Sequence, residues 1–330
     1  MVGQAAAASP VIVVGHAALD RVYRIDAFPA KPTKVSAREH REEGGGSAAN
    51  AAAAIAQLGG AVALWSRVGD DETGLKVRRA LEHGGVDVGF VRAYHGATTP
   101  TAAVIVDGKG ERLVVSEDDR IMPMDVDWLP VDRIPFAGAV LSDLSWLEGT
   151  LALFSEARRA GVPTVLDVDL AGGGLFERFA PLTDYAIFSA PAFEKFLPGA
   201  DVDARLSAVL AYGVRHAGVT RGARGYVWRT PDGTGQQPTF PVPVVDTTGA
   251  GDAFHGAFAL CVASGLDDAT CARVASAAAA LKCRRLGARL GLPTANELDV
   301  FLFEQTGQGL PAALLDGDGL MPASGQGLAG

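Results

Sequence analysis

A short run in the last third of the chain combines glycines with a carboxylate that could act as a base. Residues 246–256 read DTTGAGDAFHG, and the apolar residues that follow recur at helical spacing. Residues 240–245, rich in β-branched side chains, are predicted to form a strand, so the glycines would lie where a strand leads into a helix. The first N–H groups of a helix have no partner within it and carry partial positive charge, so they stabilise anionic oxygen.

Asp252 is predicted to lie in the same helical turn as these N–H groups. A carboxylate within hydrogen-bond reach of a hydroxyl can take its proton while the hydroxyl attacks phosphorus. Asp252 is therefore the candidate general base, and the N–H groups of Gly249, Ala250 and Gly251 are the candidates for holding the transferring phosphoryl group. An aspartate near a helix start is also common without catalysis, so these four residues alone favour the structural interpretation.

The longer motif, together with a second one, resembles the two signatures of the PfkB (ribokinase-like) carbohydrate and nucleoside kinases. The second motif, GGGSAANAAA, occupies residues 44–53 and precedes the first in the family's order. The resemblance covers residues 11–303, and its segments look most similar to the sulfofructose kinase branch. It implies a ribokinase-like α/β/α fold of three layers, with a mostly parallel sheet and a small β-sheet lid. It also implies ATP-dependent phosphorylation of a hydroxymethyl group on a small sugar.

The resemblance further implies which side chains contact the acceptor. Asp20, Gly45, Gly46 and Asn50 match positions that bind sugar hydroxyls, and a carboxylate and an amide can together accept from and donate to vicinal hydroxyls. Asp143, at the end of a predicted strand, is a further candidate for binding the substrate. Without the motifs, a turn-capping aspartate and a buried asparagine that satisfies a helix are the better interpretations of Asp20 and Asn50.

Two other segments resemble the nucleotide side of the family. Residues 219–225 look like its Thr-x-Gly-x-x-Gly segment, although a glycine-bearing hairpin turn explains them equally well. Residues 282–293 resemble the loop that lines the adenine pocket. The residues assigned to ATP by these matches are Thr220, Gly222, Gly225 and Thr248.

The resemblance also implies Mg²⁺ and, in several members, K⁺. The monovalent cation would be shared by Asp246 and Thr248 with the 282–293 loop. Many members organise Mg²⁺ through an Asn-x-x-Glu motif, but this chain has Ser189 and Ala192 at those positions. Glu194 is the substitute candidate, acting on Mg²⁺ through water, which Mg²⁺ commonly retains as a ligand.

Between the termini the sequence alternates predicted strands with predicted helices. A continuous apolar run, typical of a strand buried on both faces, occurs at residues 11–14, and further strands are predicted at 62–66, 139–141, 164–167, 185–188 and 218–220. Helical patterns occur at residues 48–58, 150–160 and 203–212. This rhythm predicts a mostly parallel sheet covered on both faces. Residues 21–43 and 98–115 interrupt this alternation and match the family's lid insertions. Residues 98–115 also have a pattern typical of a β-hairpin.

Length and composition agree with one kinase domain over residues 11–306, between poorly ordered tails at 1–10 and 307–330. The net charge of −9 argues against nucleic acid, which needs clustered Lys and Arg. No apolar run is long enough to span a membrane. Cys261, Cys271 and Cys283 lack metal-ligand spacing, so we expect neither zinc nor disulfides, and a cytoplasmic protein. The resemblance implies a homodimer formed through the lid.

Alternatives differ in how well the residues support them. A Rossmann dehydrogenase lacks its glycine motif after the first strand, and a non-catalytic sugar-binding regulator would lose the base, whereas Asp252 is present. A nucleoside kinase and a sulfofructose kinase stay open. A sulfonate needs an arginine, yet Ser145 and Ser116 stand where that branch has an arginine and an asparagine, so we expect a neutral ketohexose or pentose.

Overall fold

The computed structural model describes residues 9–108, 111–117, 122–169 and 175–315. Its strands are β1 (Val11–Gly15), β2 (Ala18–Arg24), β3 (Glu39–Gly45), β4 (Val62–Gly69), β5 (Asp87–Tyr94), β6 (Thr101–Val106), β7 (Arg112–Ser116), β8 (Ala139–Ser142), β9 (Thr164–Val168), β10 (Tyr185–Ser189), β11 (His216–Thr220), β12 (Tyr226–Thr230) and β13 (Gly233–Gln237). Its α-helices are α1 (Ser47–Gln57), α2 (Glu72–His83), α3 (Leu147–Ala160), α4 (Phe176–Phe179), α5 (Ala190–Phe196), α6 (Val202–Leu210), α7 (Ala250–Ala263), α8 (Asp268–Cys283) and α9 (Ala295–Thr306).

The larger sheet is mostly parallel, as the alternation of strands and helices predicts. Its strand order is β13-β12-β11-β10-β9-β8-β1-β4-β5. All pairs from β11 to β5 are parallel, and only the β11–β12 and β12–β13 pairs are antiparallel. Parallel strands put their carboxyl ends at one edge, where ligands collect in such sheets.

Both faces of this sheet are covered, because successive side chains of a strand point to opposite faces. Val11 and Val13 of β1 pack in a cluster with α1, α7 and α8, whereas Ile12 and Val14 pack in a second cluster with α3. The result is the expected arrangement of three layers, helices on either side of one sheet. No helix within the described ranges is long and apolar enough to cross a membrane.

A separate sheet of four strands, in the order β3-β2-β6-β7, forms the lid. Strands β2 and β3 are antiparallel, β2 and β6 are parallel, and β6 and β7 form the predicted antiparallel hairpin. The lid strands therefore come from the two interruptions that the sequence indicated. Strand β3 ends at Gly45, directly before α1, so the lid is joined to the start of that helix.

Two predictions about chain segments are wrong. Residues 240–245 form no strand, since Pro241 and Pro243 have no N–H to donate to a ladder, and Val244 and Val245 are exposed. The predicted C-terminal tail begins later than residue 307, because Leu310 is buried in the core and its N–H donates to Asp299 Oδ1 at 2.7 Å. The rest of that tail, and the predicted tail at residues 1–10 except Ser9 and Pro10, lie outside the described residues.

Candidate active site

The glycine-rich turn opens α7 as a loop-to-helix junction. Gly249 occupies the N-cap position with φ 76°, a left-handed conformation that glycine adopts without steric cost. The Ala250 N–H donates to Thr247 O at 3.2 Å, and the Ala253 N–H donates to Gly249 O at 2.9 Å. Within α7, Gly251 and Asp252 belong to the first turn, so the N–H groups and the carboxylate lie side by side as predicted.

Asp252 is electrostatically suited to accept a proton near neutral pH. Burial of the carboxylate raises the pKa of Asp252 to about 7, and the nearby Asp167 carboxylate adds to the rise. Asn50 Nδ2 donates to Asp252 Oδ2 at 2.7 Å, which favours the charged form and opposes the rise. A base whose pKa lies close to the working pH is efficient, because it is available deprotonated and still binds a proton well.

Arg289 is a site residue that the sequence reasoning missed. Its Nε donates to Asn50 Oδ1 at 2.8 Å, and its Nη2 donates to the Gly45 carbonyl at 2.8 Å. The guanidinium lies against Gly44, where any side chain would overlap it. Burial lowers the pKa of Arg289 to about 10, opposed by the charges of Asp20 and Asp252, so it remains a cation at neutral pH.

The predicted acceptor residues meet at the lid side of this cluster. Asp20, on β2, lies against Gly45 of β3, where a Cβ atom would be only 2.2 Å from Asp20 Oδ1. Burial raises the pKa of Asp20, and the charge of Arg289 opposes that rise. Gly46 is the N-cap of α1 and its carbonyl accepts from the Asn50 N–H at 2.9 Å. Gly45, Gly46, Asn50 and Asp20 are thus neighbours, as the motif predicted.

Asp143, the further predicted substrate contact, directly follows β8 and is bound by protein donors. Its Oδ2 accepts from the N–H groups of His16 and Ala48, both at 3.0 Å. Its Oδ1 accepts from both the N–H and the hydroxyl of Ser145, at 2.9 and 2.6 Å. A carboxylate has about four acceptor sites, so protein donors already fill those of Asp143. The geometry therefore has Asp143 joining the loop after β1, the first turn of α1 and its own loop, and a sugar hydroxyl would have to displace one of these donors.

Asp167 and His255 form a buried pair close to Asp252. His255 Nδ1 lies 2.8 Å from Gly251 O and 3.4 Å from Asp167 Oδ2. Burial lowers the pKa of His255 and, together with Asp169 and other carboxylates, raises the pKa of Asp167 well above its usual value. A neutral imidazole that donates to Gly251 O stabilises the first turn of α7, so His255 supports the turn from inside the protein.

A cavity of about 440 Å³ opens beside the glycine-rich turn. Its walls are largely apolar, and one end is formed by Ala250 and Gly251. The predicted nucleotide residues Thr220, Gly222 and Gly225 line this cavity. They lie at the turn between the antiparallel strands β11 and β12, so the glycine-bearing hairpin turn also forms part of the cavity wall. An apolar pocket that ends at the first turn of a helix fits a purine base and its phosphates.

Most of the remaining wall residues come from the 239–247 loop and one face of α8, and Ala223, Tyr226 and Phe254 complete the wall. From the predicted 282–293 segment, Cys283 lines this cavity; the other wall residues on α8 are Ser276, Ala279 and Ala280. The loop contributes Thr247, whereas the predicted Thr248 donates its N–H to Asp246 Oδ1 at 2.9 Å.

The predicted metal residues are already engaged by protein groups. Asp246 Oδ2 accepts from the Gly287 N–H at 2.8 Å, and its main-chain oxygen accepts from the Lys282 ammonium at 2.8 Å. Glu194 forms an ion pair with Arg205 at 3.1 Å on the surface of α5. Within the described ranges, no group of three or more His, Cys, Asp or Glu side chains could hold a metal ion. Mg²⁺ commonly keeps several water ligands and binds nucleotide phosphates, so it needs few ligands from the protein.

Comparison with known proteins identifies this combination of fold and site. The family model of the pfkB family carbohydrate kinases matches residues 9–295. The chain belongs to the pfkB carbohydrate kinase family. It is 34% identical to the ATP-dependent ribose-1-phosphate kinase of Halopiger xanaduensis, over 89% of this chain and 98% of that protein.

Solved structures agree with the family. A ribokinase-like protein from Agrobacterium tumefaciens superposes with a TM-score of 0.86 at 34% identity, covering 91% of this chain and 99% of its own. Arabidopsis thaliana ribokinase, solved with ribose and ATP, gives 0.80 at 26% identity, covering 89% and 99%. The expectation of an ATP-dependent carbohydrate kinase with the ribokinase-like fold is confirmed.

Proposed function

We propose that this kinase transfers the γ-phosphoryl group of ATP to the hydroxymethyl group of a pentose, with Asp252 as the general base. The observation that carries the proposal is the Asn50–Asp252 hydrogen bond of 2.7 Å. It joins the acceptor residues at the lid to the base at the start of α7, so a hydroxyl held beside Asn50 would lie next to Asp252. The relatives that act on ribose or ribose 1-phosphate support a pentose over a ketohexose.

In this mechanism each group has one task. Asp20 and Asn50 hold the sugar hydroxyls, and Asp252 takes the proton of the attacking hydroxyl. The N–H groups of Gly249, Ala250 and Gly251 would stabilise the charge of the transferring phosphoryl group. Mg²⁺, when bound to the nucleotide phosphates, would neutralise part of their charge. Closure of the lid would exclude water, which otherwise competes as acceptor.

The acceptor is tested by steady-state kinetics with ATP and a panel of sugars. The panel contains ribose, deoxyribose, fructose, sulfofructose, inosine and ribose 1-phosphate, and phosphorus NMR of the product locates the new ester. We expect a pentose to give the highest kcat/KM, with phosphorus coupled to two protons of a CH₂ group. A tenfold preference for fructose, sulfofructose or inosine would contradict the pentose assignment. A protein that binds sugar but never consumes ATP would be a regulator.

A second candidate acceptor is a pentose that already carries a phosphate. The observation that favours it is Arg289, whose Nη1 has no hydrogen-bond partner within the described ranges although the atom is buried in the site. Ser145 cannot supply a cation, and its hydroxyl is bound to Asp143. Arginine is the usual partner of a phosphate group, because its N–H groups match the phosphate oxygens.

Replacement of Arg289 separates the two candidates. If the acceptor is anionic, Arg289→Gln should raise the KM for ribose 1-phosphate at least about tenfold more than the KM for ribose, since it removes a charge-assisted contact. If the acceptor is neutral, both KM values should change together, because Asn50 loses its support. Arg284→Gln, an exposed arginine nearby, is the matched control and should change neither.

We also propose that the lid forms a homodimer in the cytoplasm. Strand β7 is an edge strand, and its Leu113, Val114 and Val115 side chains are 49%, 50% and 58% exposed. An exposed apolar edge strand readily pairs with a second chain. Light scattering should give twice the chain mass, and Val114→Lys should give the monomer mass. A wild-type monomer at micromolar concentration would contradict the proposal.

A further inference from the structure

Lys282, in the last turn of α8, is a completely buried lysine that no step of the mechanism uses. Its side chain has 0% exposure, and its Nζ donates to the Asp246 main-chain oxygen at 2.8 Å. The same Nζ lies 3.8 Å from Asp246 Oδ2. Lysine is almost never fully buried unless it is paired, because removing the ammonium from water is costly. The fold therefore retains this cation for a reason other than packing.

The Lys282 side chain occupies the space next to Gly291, in the loop that follows α8. A Cβ atom on Gly291 would be 2.8 Å from Gly287 O, 3.0 Å from Lys282 O and 3.1 Å from Lys282 Cε. Gly287 O and Lys282 O accept from the N–H groups of Gly291 and Arg285 at 3.1 and 3.2 Å, whereas Asp246 O accepts from the ammonium. Main-chain carbonyl oxygens, such as that of Asp246, are the ligands of K⁺ in channel selectivity filters. Here the absence of a side chain at Gly291 leaves the space to Lys282 instead.

The charges around the ammonium favour a cation at this point. Burial lowers the pKa of Lys282 below its usual value, although the charges of Asp246, Cys283, Glu43 and Asp252 oppose that lowering. The Asp246 carboxylate accepts from two backbone N–H groups, so its oxygens are already oriented. A diffusible ion at the same place would have to displace the ammonium from Asp246 O. The donor set therefore does not fit the K⁺ that the family resemblance implies.

We infer that the Lys282 ammonium takes the place of a monovalent cation at Asp246, and that turnover of this kinase does not depend on K⁺. Asp246 lies three residues before Gly249, and α8 lies beside α7 in the same core cluster. An ammonium attached to α8 and bonded to Asp246 thus fixes the loop that leads into the first turn of α7. Lys282 acts as a positioning residue for the N–H groups at Gly249 and Ala250.

The wild-type enzyme provides the first test. Turnover is measured with saturating ATP and acceptor at constant ionic strength in KCl, NaCl or tetramethylammonium chloride. The inference expects kcat values within about twofold across the three salts, since no ion has to bind. Activation of tenfold or more by K⁺ over tetramethylammonium would overturn it. The test requires only kinase activity, whichever sugar is the acceptor, so an absence of turnover in every salt would refute the proposed function and not this inference.

Variants provide the second test. Lys282→Ala removes the ammonium and opens its space, so kcat in tetramethylammonium should fall at least tenfold and should be restored largely by K⁺ or NH₄⁺. Lys282→Met keeps the length of the stem and fills the space, so neither ion should restore the kcat that this variant loses. Lys76→Ala, which removes an exposed lysine of α2, is the matched control and should behave as wild type in every salt.

Thermal unfolding gives a readout that does not need activity. K⁺ should raise the melting temperature of Lys282→Ala, because an ion that binds only the native state stabilises it, and should leave that of wild type unchanged. Full activity of Lys282→Ala in tetramethylammonium would overturn the inference. So would a loss of activity that neither K⁺ nor NH₄⁺ restores in a variant that is still folded.

Discussion

Replacing Asp252 by asparagine should remove catalysis and stabilise the protein at high pH. Asparagine keeps the shape of the side chain, and its Oδ1 can still accept from Asn50 Nδ2, so the site should stay assembled. It cannot accept a proton, so kcat should fall by about 10²- to 10⁴-fold, the usual contribution of a general base. Binding of ATP and sugar should change little, because the base acts mainly in the transition state.

The effect on stability follows from the raised pKa of Asp252. A native pKa of about 7 against 3.8 in the unfolded chain means that the native state holds the proton more tightly. The stability that the proton contributes is therefore complete below pH 4 and is lost as the pH rises through 7. At 1.36 kcal/mol per pKa unit, the charged carboxylate costs the native state at most about 4 kcal/mol above pH 7. Asp252 is partly open to the cleft, so solvent screening reduces this to about 2 kcal/mol.

The measurement is denaturant unfolding of wild type and Asp252→Asn at pH 5 and pH 8, alongside kinetics. The free energy of unfolding of the variant minus that of wild type should be about 1–2 kcal/mol larger at pH 8 than at pH 5, since charge on Asp252 develops in that interval. Turnover of the pure variant close to wild type would refute the role as base. A stability difference that is the same at both pH values would refute the raised pKa, whatever happens to kcat.

Three other predictions follow from the geometry. The wild-type kcat/KM for sugar should rise with pH through about 7, because Asp252 must be deprotonated to act; a flat profile from pH 5 to 8 would contradict this. Asn50→Ala and Asp20→Ala should each weaken sugar binding by about 1–3 kcal/mol and leave ATP binding unchanged in calorimetry, whereas Gln57→Ala on the exposed end of α1 should change neither. Ala280→Phe should fill the cavity and raise the KM for ATP at least about tenfold with little effect on sugar affinity; the reverse pattern would show that the cavity is not the nucleotide site.

Local patterns in the sequence were sufficient for many of the elements of the fold. The apolar run of β1 predicts a strand buried on both faces, and its side chains alternate between the two clusters of the core. The glycines before Asp252 predict a helix start with a carboxylate in its first turn, because that geometry depends on a few consecutive residues. The strand predicted at residues 240–245 is wrong. The β-branched composition indicates a strand, but Pro241 and Pro243 prevent a continuous ladder.

The tertiary structure alone decided which distant residues complete the site. Asn50 and Asp252 are 202 positions apart, and Arg289 is 239 positions from Asn50, so only the packing of α1, α7 and the loop after α8 brings them together. In sequence, Lys282 resembles a cation that favours the C-terminus of an alanine-rich helix, and nothing local shows that it turns inward to Asp246. Contacts over such separations depend on topology, whereas periodicity, capping and glycine turns depend on neighbours along the chain. The sequence therefore determined many of the elements and the family, and the fold decided what surrounds Asp252.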